Sequence, residues 1–294
     1  MVDAKLPLRT RVLNVFRAPL RGRTLDGLLS YATRGKMPTS LWARVPPSHI
    51  LYARPSARRA VRAGIVYDLD ISDFMEWVIY YGIATEPRDK LYGLASAGDT
   101  VLDVGANVGE CALNFSRRVG PTGRVLAFEP GPSVRAKLER NVSLNGFATN
   151  IDIMALGLGD APATLQLCEP SPHNRGGNRI LERPVGEHVA IRVVRLDDFV
   201  AEHGLERVDL VKIDVEGFEV RALRGARQTL ERFRPTLFVE VSEENLRGSG
   251  TSARELVGFL AELGYALRSA DDGATVTPDD RFEGRHFDVI ATAS

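Results

Sequence analysis

The sequence predicts a doubly wound α/β fold, on three observations. From residue 98 onward, short apolar runs rich in β-branched residues alternate with amphipathic helical stretches. Runs of that kind are buried on both sides, as they are in a parallel sheet covered by helices. Glycine-rich turns separate run from helix, and right-handed crossovers then wind the helices onto both faces.

Thr100-Val101-Leu102-Asp103-Val104 is a strand that stops at Gly105, and Val108, Ala112, Phe115 and Val119 then recur at helical spacing. Gly120-Pro121-Thr122-Gly123 breaks that helix, and Arg124-Val125-Leu126-Ala127-Phe128 is a second buried strand. A helix over 133–144 carries Val134, Leu138 and Val142 on one face, and 151–158 is a third strand. Val208-Asp209-Leu210-Val211-Lys212-Ile213-Asp214-Val215 is a fourth strand, and Val220, Leu223 and Leu230 mark one helix after it. Pro235-Thr236-Leu237-Phe238-Val239-Glu240-Val241 is the next strand. Ser252-Ala253-Arg254-Glu255 is a capping box that opens a helix stopped by Gly264. Tyr265-Ala266-Leu267 and Phe287-Asp288-Val289-Ile290-Ala291 close the chain as a hairpin. Residues 161–200 interrupt the rhythm. Thr164-Leu165-Gln166-Leu167-Cys168 and Ala190-Ile191-Arg192-Val193-Val194 flank a polar loop at 170–178, a β-hairpin insertion with a functional tip.

Composition narrows the class. Of 294 residues, 44% are apolar and 26% charged, which excludes a disordered or low-complexity chain. No apolar run approaches the roughly 20 residues of a membrane-spanning helix, and the first thirty residues lack the apolar stretch of a secretory signal. Cys111 and Cys168 have no metal spacing, so a reducing, cytoplasmic location is expected. The net charge of zero hides an asymmetry. Residues 1–64 hold 13 Lys and Arg against Asp3 and Asp26, a surplus of 11 that the remainder of the chain cancels. A basic extension of that kind could meet nucleic acid, lipid head groups or a phosphorylated substrate. It lacks interleaved aromatic platforms, so the expectation is internal neutralisation against the acidic body.

The chemistry concentrates at the ends of the strands. Asp103-Val104-Gly105-Ala106-Asn107-Val108-Gly109 lies between strand and helix, where glycines let backbone approach a ligand and a helix N-terminus offers free N–H groups. Taken alone, this turn serves packing as well as binding. Its spacing is not the dinucleotide fingerprint G-x-G-x-x-G, nor is there a phosphate loop. Phe128-Glu129-Pro130 then places a carboxylate about 20 residues on, where an acid reaches a ribose diol. Asp214 ends another strand, with Glu216, Gly217 and Glu219 close behind, and Glu240 ends the next. Acids gathered there suit a cation, a cationic ligand or a proton transfer. In a doubly wound sheet all these ends open on one crevice.

Together, the turn at 103–109, Phe128-Glu129-Pro130 and Lys212-Ile213-Asp214-Val215-Glu216-Gly217-Phe218-Glu219 resemble the FkbM family of S-adenosylmethionine-dependent methyltransferases. The similarity runs over 67–242, including Asp68-Leu69-Asp70-Ile71-Ser72 and Val194-Arg195-Leu196-Asp197-Asp198-Phe199, and leaves 1–64 unmatched. It implies a seven-stranded, Rossmann-like class I methyltransferase fold and methylation of a hydroxyl on a sugar, glycan or secondary metabolite. The implied division is a basic extension at 1–64, a lead-in helical segment at 65–97 forming part of an acceptor pocket, and the methyltransferase domain at 98–294. The resemblance assigns S-adenosylmethionine to Asp103, Gly105, Ala106, Asn107, Gly109, Glu129, Pro130, Ala155, Leu156, Asp160 and Asp214. Gly105 to Gly109 would pass under the methionine moiety, Glu129 would accept from both ribose hydroxyls, and Met154-Ala155-Leu156 with Asp160 would border the adenine.

An alkyl hydroxyl is a poor nucleophile, so a base within hydrogen-bond reach helps. Asp214, Glu216, Glu240 and His173 are the candidates, His173 sitting on the insertion loop. His49, His188, His203 and His286 lack supporting context. Asp214 and Glu240 could instead hold Mg²⁺, though the expectation is no metal. The acceptor pocket is expected between the loop around His173 and residues 67–86, where Phe74, Trp77, Tyr80 and Tyr81 cluster. These aromatics equally fit a helix packed on a sheet. Rival readings are a nucleic-acid methyltransferase using the basic arm, a non-catalytic cofactor-binding module and a nicotinamide oxidoreductase. The first is disfavoured because Asp214-Val215-Glu216-Gly217 stands where base-methylating enzymes resemble one another in [N/D]-P-P-[Y/F]. The oligomeric state is left open.

Overall fold

The computed structural model describes residues 8–37, 40–83, 86–168, 173, 177–180 and 188–293, with backbone alone at 8–11 and 86–87. Of the expected loop at 170–178, only His173, Gly177 and Asn178 fall within that set. The chain forms two compact units, Met1–Glu86 with Pro172–Arg175, and Pro87–Ser171 with Gly176–Ser294.

The first unit contains helices α1 (Leu8–Arg17) and α2 (Arg23–Thr33), strands β1 (Ala57–Arg62) and β2 (Ile65–Asp70), and helix α3 (Phe74–Tyr81). β1 and β2 pair antiparallel from Ala57↔Asp70 to Arg62↔Ile65. Ala63 and Gly64 turn the hairpin with φ of 47° and 77°, the double positive φ that matches strand twist. The sequence division at residue 64 runs through this turn. Asp73 caps α3 by accepting from the N–H groups of Met75 and Glu76 at 3.0 and 3.3 Å.

Asp26 is fully buried on α2, and its carboxylate accepts from Arg58 Nε at 3.1 Å, Tyr52 Oη at 2.7 Å and Tyr81 Oη at 3.1 Å. Arg62 donates to Ser30 and to the Ile79 and Tyr80 carbonyls at the end of α3. Part of the basic surplus is therefore spent inside this unit, on a buried acid and on helix-end carbonyls.

The second unit opens with helix α4 (Glu86–Gly93) and holds a seven-stranded sheet. Its strands are β3 (Thr100–Val104), β4 (Arg124–Phe128), β5 (Ile151–Met154), β10 (Leu210–Ile213), β11 (Thr236–Ser242), β12 (Tyr265–Ser269) and β13 (His286–Ala293). They lie in the order β12-β13-β11-β10-β3-β4-β5, with β13 alone antiparallel to its two neighbours. This is the predicted doubly wound sheet with its terminal hairpin. Alternation along the strands feeds two cores. Val101, Val125, Ala127 and Leu210 pack with Ala112, Phe115 and Val119 of α5 (Glu110–Val119) and Leu138 of α6 (Pro132–Ser143). Leu102, Val104, Val211 and Val239 pack on the opposite face. Helices α7 (Leu196–Glu202), α8 (Glu219–Arg224), α9 (Arg227–Phe233), α10 (Glu243–Gly248) and α11 (Ala253–Glu262) follow in the chain, and Leu196, Leu223, Leu230, Leu246 and Leu256 carry them into that second core.

Two expectations change. The third strand divides: β5 ends at Met154, and β6 (Gly157–Leu158) joins a small sheet with β7 (Ala163–Cys168), β8 (Arg179–Ile180) and β9 (His188–Val194) in the order β6-β9-β7-β8. Gly157 makes the departure possible, since a Cβ there would come within 3.2 Å of Val193. The single helix expected after the fourth strand is α8 and α9. At Gly225 between them, an added Cβ would lie 1.9 Å from the Gly159 carbonyl oxygen, so the chain passes too close for any side chain. Asp197 restarts the helix from outside it, accepting from the Gln228 and Thr229 N–H groups at 3.2 and 2.8 Å.

Candidate active site

The carboxyl ends of β3, β4, β10 and β11 gather the predicted acids. β3 leaves the sheet through Gly105, Asn107 and Gly109, all with positive φ (81°, 51° and 91°). The Gly105 and Ala106 N–H groups donate to the Phe128 carbonyl at 3.0 Å each, tying the turn to β4. A Cβ on Gly105 would sit 1.9 Å from the Asp214 carbonyl oxygen, and one on Gly109 would sit 2.6 Å from Leu138. Both glycines are thus demanded by packing, and packing alone accounts for them.

Glu129 carries more information. It ends β4 with only 7% of its surface exposed, and its carboxylate spans the turn. Oε2 accepts from Asn107 N–H at 3.0 Å and Oε1 from Gly131 N–H at 2.9 Å. Burial pushes its pKa up to about 7, against those two hydrogen bonds. Each oxygen keeps further accepting capacity, the complement of two adjacent hydroxyl donors. Pro130 fixes the exit, and Glu129 N–H donates to the Met154 carbonyl at 3.0 Å, which sets the turn at Ala155 and Leu156 beside it. Asp160 lies farther along the chain, past β6, with its Cα within 3.4 Å of a Cβ placed on Gly225.

Register explains the next pair. Asp103 and Lys212 are direct partners on β3 and β10 and share a face. Lys212 is buried, with Nζ 2.7 Å from the Gly105 carbonyl, 3.4 Å from Asp103 and 3.6 Å from Asp214. Burial alone would neutralise this ammonium, but Asp214 and Asp103 outweigh it and hold its pKa above the usual lysine value. Asp103 is wholly buried, and among the described residues neither of its oxygens makes a hydrogen bond of normal geometry. Burial raises its pKa while Lys212 opposes the rise.

Glu240 faces the same edge from β11. His286, on β13, approaches it to 3.2 Å through Nε2, a diagonal contact set by the pairs Glu240↔Asp288 and Ser242↔His286. The second Glu240 oxygen is buried without a partner among the described residues. Burial and the charge of Asp214 raise the Glu240 pKa, and Glu240 in turn raises that of His286. The two groups titrate together as a pair. Burial, with Asp214, also lifts Asp288 to about 7. Glu216, at φ 54°, accepts from Asn245 Nδ2 at 2.8 Å, and Glu219 accepts from the Val215 and Gly217 N–H groups. Burial is the main cause of the raised values of these acids, and their mutual repulsion adds to it.

The structure thus brings together Asp103, Gly105, Asn107, Glu129, Asp214 and Glu240. His173 belongs to the other unit. There its Nδ1 lies 3.0 Å from the Ser72 carbonyl, its own carbonyl accepts from Phe74 N–H at 2.9 Å, and His49 is beside it. Tyr80 and Tyr81 point into that unit's core, while Phe74 and Trp77 edge onto His49. Sequence reasoning missed Lys212 and His286. A lysine inside an apolar strand was the available signal for the first. For the second there was none, since the contact depends on strand register.

Residues 103–267 match the methyltransferase FkbM domain family. The 31-O-demethyl-FK506 methyltransferase FkbM of Streptomyces tacrolimicus is 33% identical over 221 residues, spanning 66% of this chain and 80% of that protein. Methyltransferase sdnD of Sordaria araneosa is 31% identical over 186 residues, spanning 53% of this chain and 70% of that one. The 2-O-methyltransferase NoeI of Sinorhizobium fredii is 25% identical over 223 residues, spanning 69% and 88%.

Proposed function

The chain belongs to the FkbM family of methyltransferases, and on that premise we propose that it methylates a hydroxyl oxygen of a sugar, glycan or secondary metabolite with S-adenosylmethionine. The observation that carries the reading is Glu129. A buried carboxylate held by two backbone N–H groups, with accepting capacity left over, fits a ribose diol. S-adenosylmethionine supplies a methyl group activated on a cationic sulfonium.

The chain's own residues do the rest. Glu129 would anchor the ribose, Ala155 and Leu156 would border the adenine, and the 105–109 turn would hold the methionine moiety. Asp214, Glu240 and Asp288 present a negative field to the sulfonium, which lowers the energy of bringing it into the crevice. The unpartnered Glu240 oxygen would take the acceptor hydroxyl's proton, while the methyl group passes to the hydroxyl oxygen as its bond to sulfur breaks and S-adenosylhomocysteine leaves. The demands of the reaction are alignment and exclusion of water.

The test is transfer of isotopically labelled methyl from S-adenosylmethionine to simple sugars, hexuronic acids and polyketide alcohols, with and without EDTA. Label is expected in an O-methyl ether, at the same rate in EDTA. Label in DNA or RNA would sink the reading. Loss of turnover in EDTA with recovery on Mg²⁺ would replace the protein base by a metal-activated hydroxyl.

A further inference from the structure

Both N-terminal helices are built inside out. On α2 the buried residues are polar, Asp26, Ser30 and Thr33 at successive helical turns, while Leu25, Leu28 and Tyr31 face solvent. On α1 Asn14 is buried and Val12, Val15 and Phe16 are exposed. Leu41 and Trp42 follow, 78% and 56% exposed. A helix of a soluble domain turns its apolar stripe inward. On α2 a polar network holds the helix in place, and the apolar residues of both helices are left outside.

The same segment is cationic. Arg23, Lys36, Arg44, Arg54 and Arg59 are exposed, and none has an ion-pair partner among the described residues. Asp26 is the only acid between residues 8 and 64, and it is buried against Arg58. The exposed residues of this segment therefore include aliphatic, aromatic and basic groups, with no exposed acid among the described residues.

We propose that residues 8–64 form an interfacial anchor that lays α1 and α2 in the plane of an anionic lipid bilayer. Aliphatic stripes belong at the headgroup–acyl boundary, Tyr31 and Trp42 are the amphipathic rings that favour that depth, and the arginines meet lipid phosphates. A two-fold dimer through this face would set the basic segment against itself. A nucleic acid would leave Val12, Val15 and Leu28 unused. No helix among the described residues is long and apolar enough to cross a membrane, so the contact is with one leaflet.

The full chain should co-sediment with vesicles of equal parts phosphatidylcholine and phosphatidylglycerol, less so at high salt, and not with phosphatidylcholine alone. Phe16→Asp with Leu28→Asp should lower partitioning at least tenfold. Arg23→Gln with Arg44→Gln should lower it about 25-fold, roughly fivefold per charge. All four residues are exposed, so binding of S-adenosylhomocysteine, measured in parallel, should not change. Equal binding to both vesicles, or variants that bind anionic vesicles like wild type, would overturn the proposal. So would a dimer, or an RNA complex, that the Phe16→Asp and Leu28→Asp pair disperses.

Discussion

Glu129→Gln isolates the charge on which the cofactor site depends, with almost no change of shape. At pH 8 a carboxyl with a pKa of about 7 is mostly ionised and can accept from two ribose hydroxyls. Hydrogen bonds to a charged acceptor are worth about 1.5–3 kcal/mol each. Glutamine keeps one neutral acceptor and turns an N–H2 group toward the N–H of Asn107 or Gly131, which now donate to the two carboxylate oxygens. The loss should be about 2–4 kcal/mol, roughly 30- to 1000-fold in affinity for S-adenosylhomocysteine. The wild type should also bind about tenfold more weakly at pH 6 than at pH 8, because the carboxyl must first release a proton, and Glu129→Gln should lose that dependence.

The free protein carries the opposite sign. The folded-state pKa is raised, so Glu129's favourable contribution is complete below about pH 4.5 and disappears as pH rises through about 7. Wild type should lose up to about 3 kcal/mol relative to the variant across that window. Calorimetric titration at both pH values, with thermal melts alongside, reads all of this. Affinity of the variant within threefold of wild type, or an unchanged pH slope, would remove Glu129 from the site.

Three further outcomes follow from the same geometry. Gly105→Ala should distort the turn and weaken S-adenosylhomocysteine binding together with stability, because its Cβ would fall 1.9 Å from the Asp214 carbonyl oxygen at a φ of 81°; a melt and titration unchanged from wild type would contradict the close contact. Lys212→Met leaves Asp103 buried without its cation and should cost about 3–5 kcal/mol, lowering the melting temperature, while Asp103→Asn with Lys212→Met should recover most of it. An undisturbed single variant would show that the pair is not a stabilising unit. Glu240→Gln should lower turnover about 100-fold or more and flatten its rise with pH while leaving affinity for S-adenosylhomocysteine, which carries no sulfonium charge, nearly intact, and wild-type turnover in that variant would move the proton acceptor elsewhere.

The strands of the main sheet were legible because β3, β4, β10 and β11 are buried on both faces, so their sequences are nearly unbroken apolar runs. Glu129 and Asp214 were legible for a related reason: polar residues at the ends of such runs stand out. The β1–β2 hairpin was not. Its first strand, Ala57–Arg62, buries only Ala60, and three arginines mask the alternation. The break between α8 and α9 depends on Gly225 meeting Gly159 across the fold, which no local pattern announces. The Glu240–His286 contact needs the β11–β13 register, and the reversed faces of α1 and α2 become visible only once Asp26 is seen buried among Arg58, Tyr52 and Tyr81.

The central claim is that a nucleoside sits in the crevice at the carboxyl ends of β3 and β4 with its ribose on Glu129. A crystal structure of the full chain with S-adenosylhomocysteine measures it directly. Both ribose hydroxyls should lie within hydrogen-bond distance of the Glu129 carboxylate, with the methionine moiety over the 105–109 turn. A ribose held by a different carboxylate, or a ligand seated away from that turn, would contradict the account.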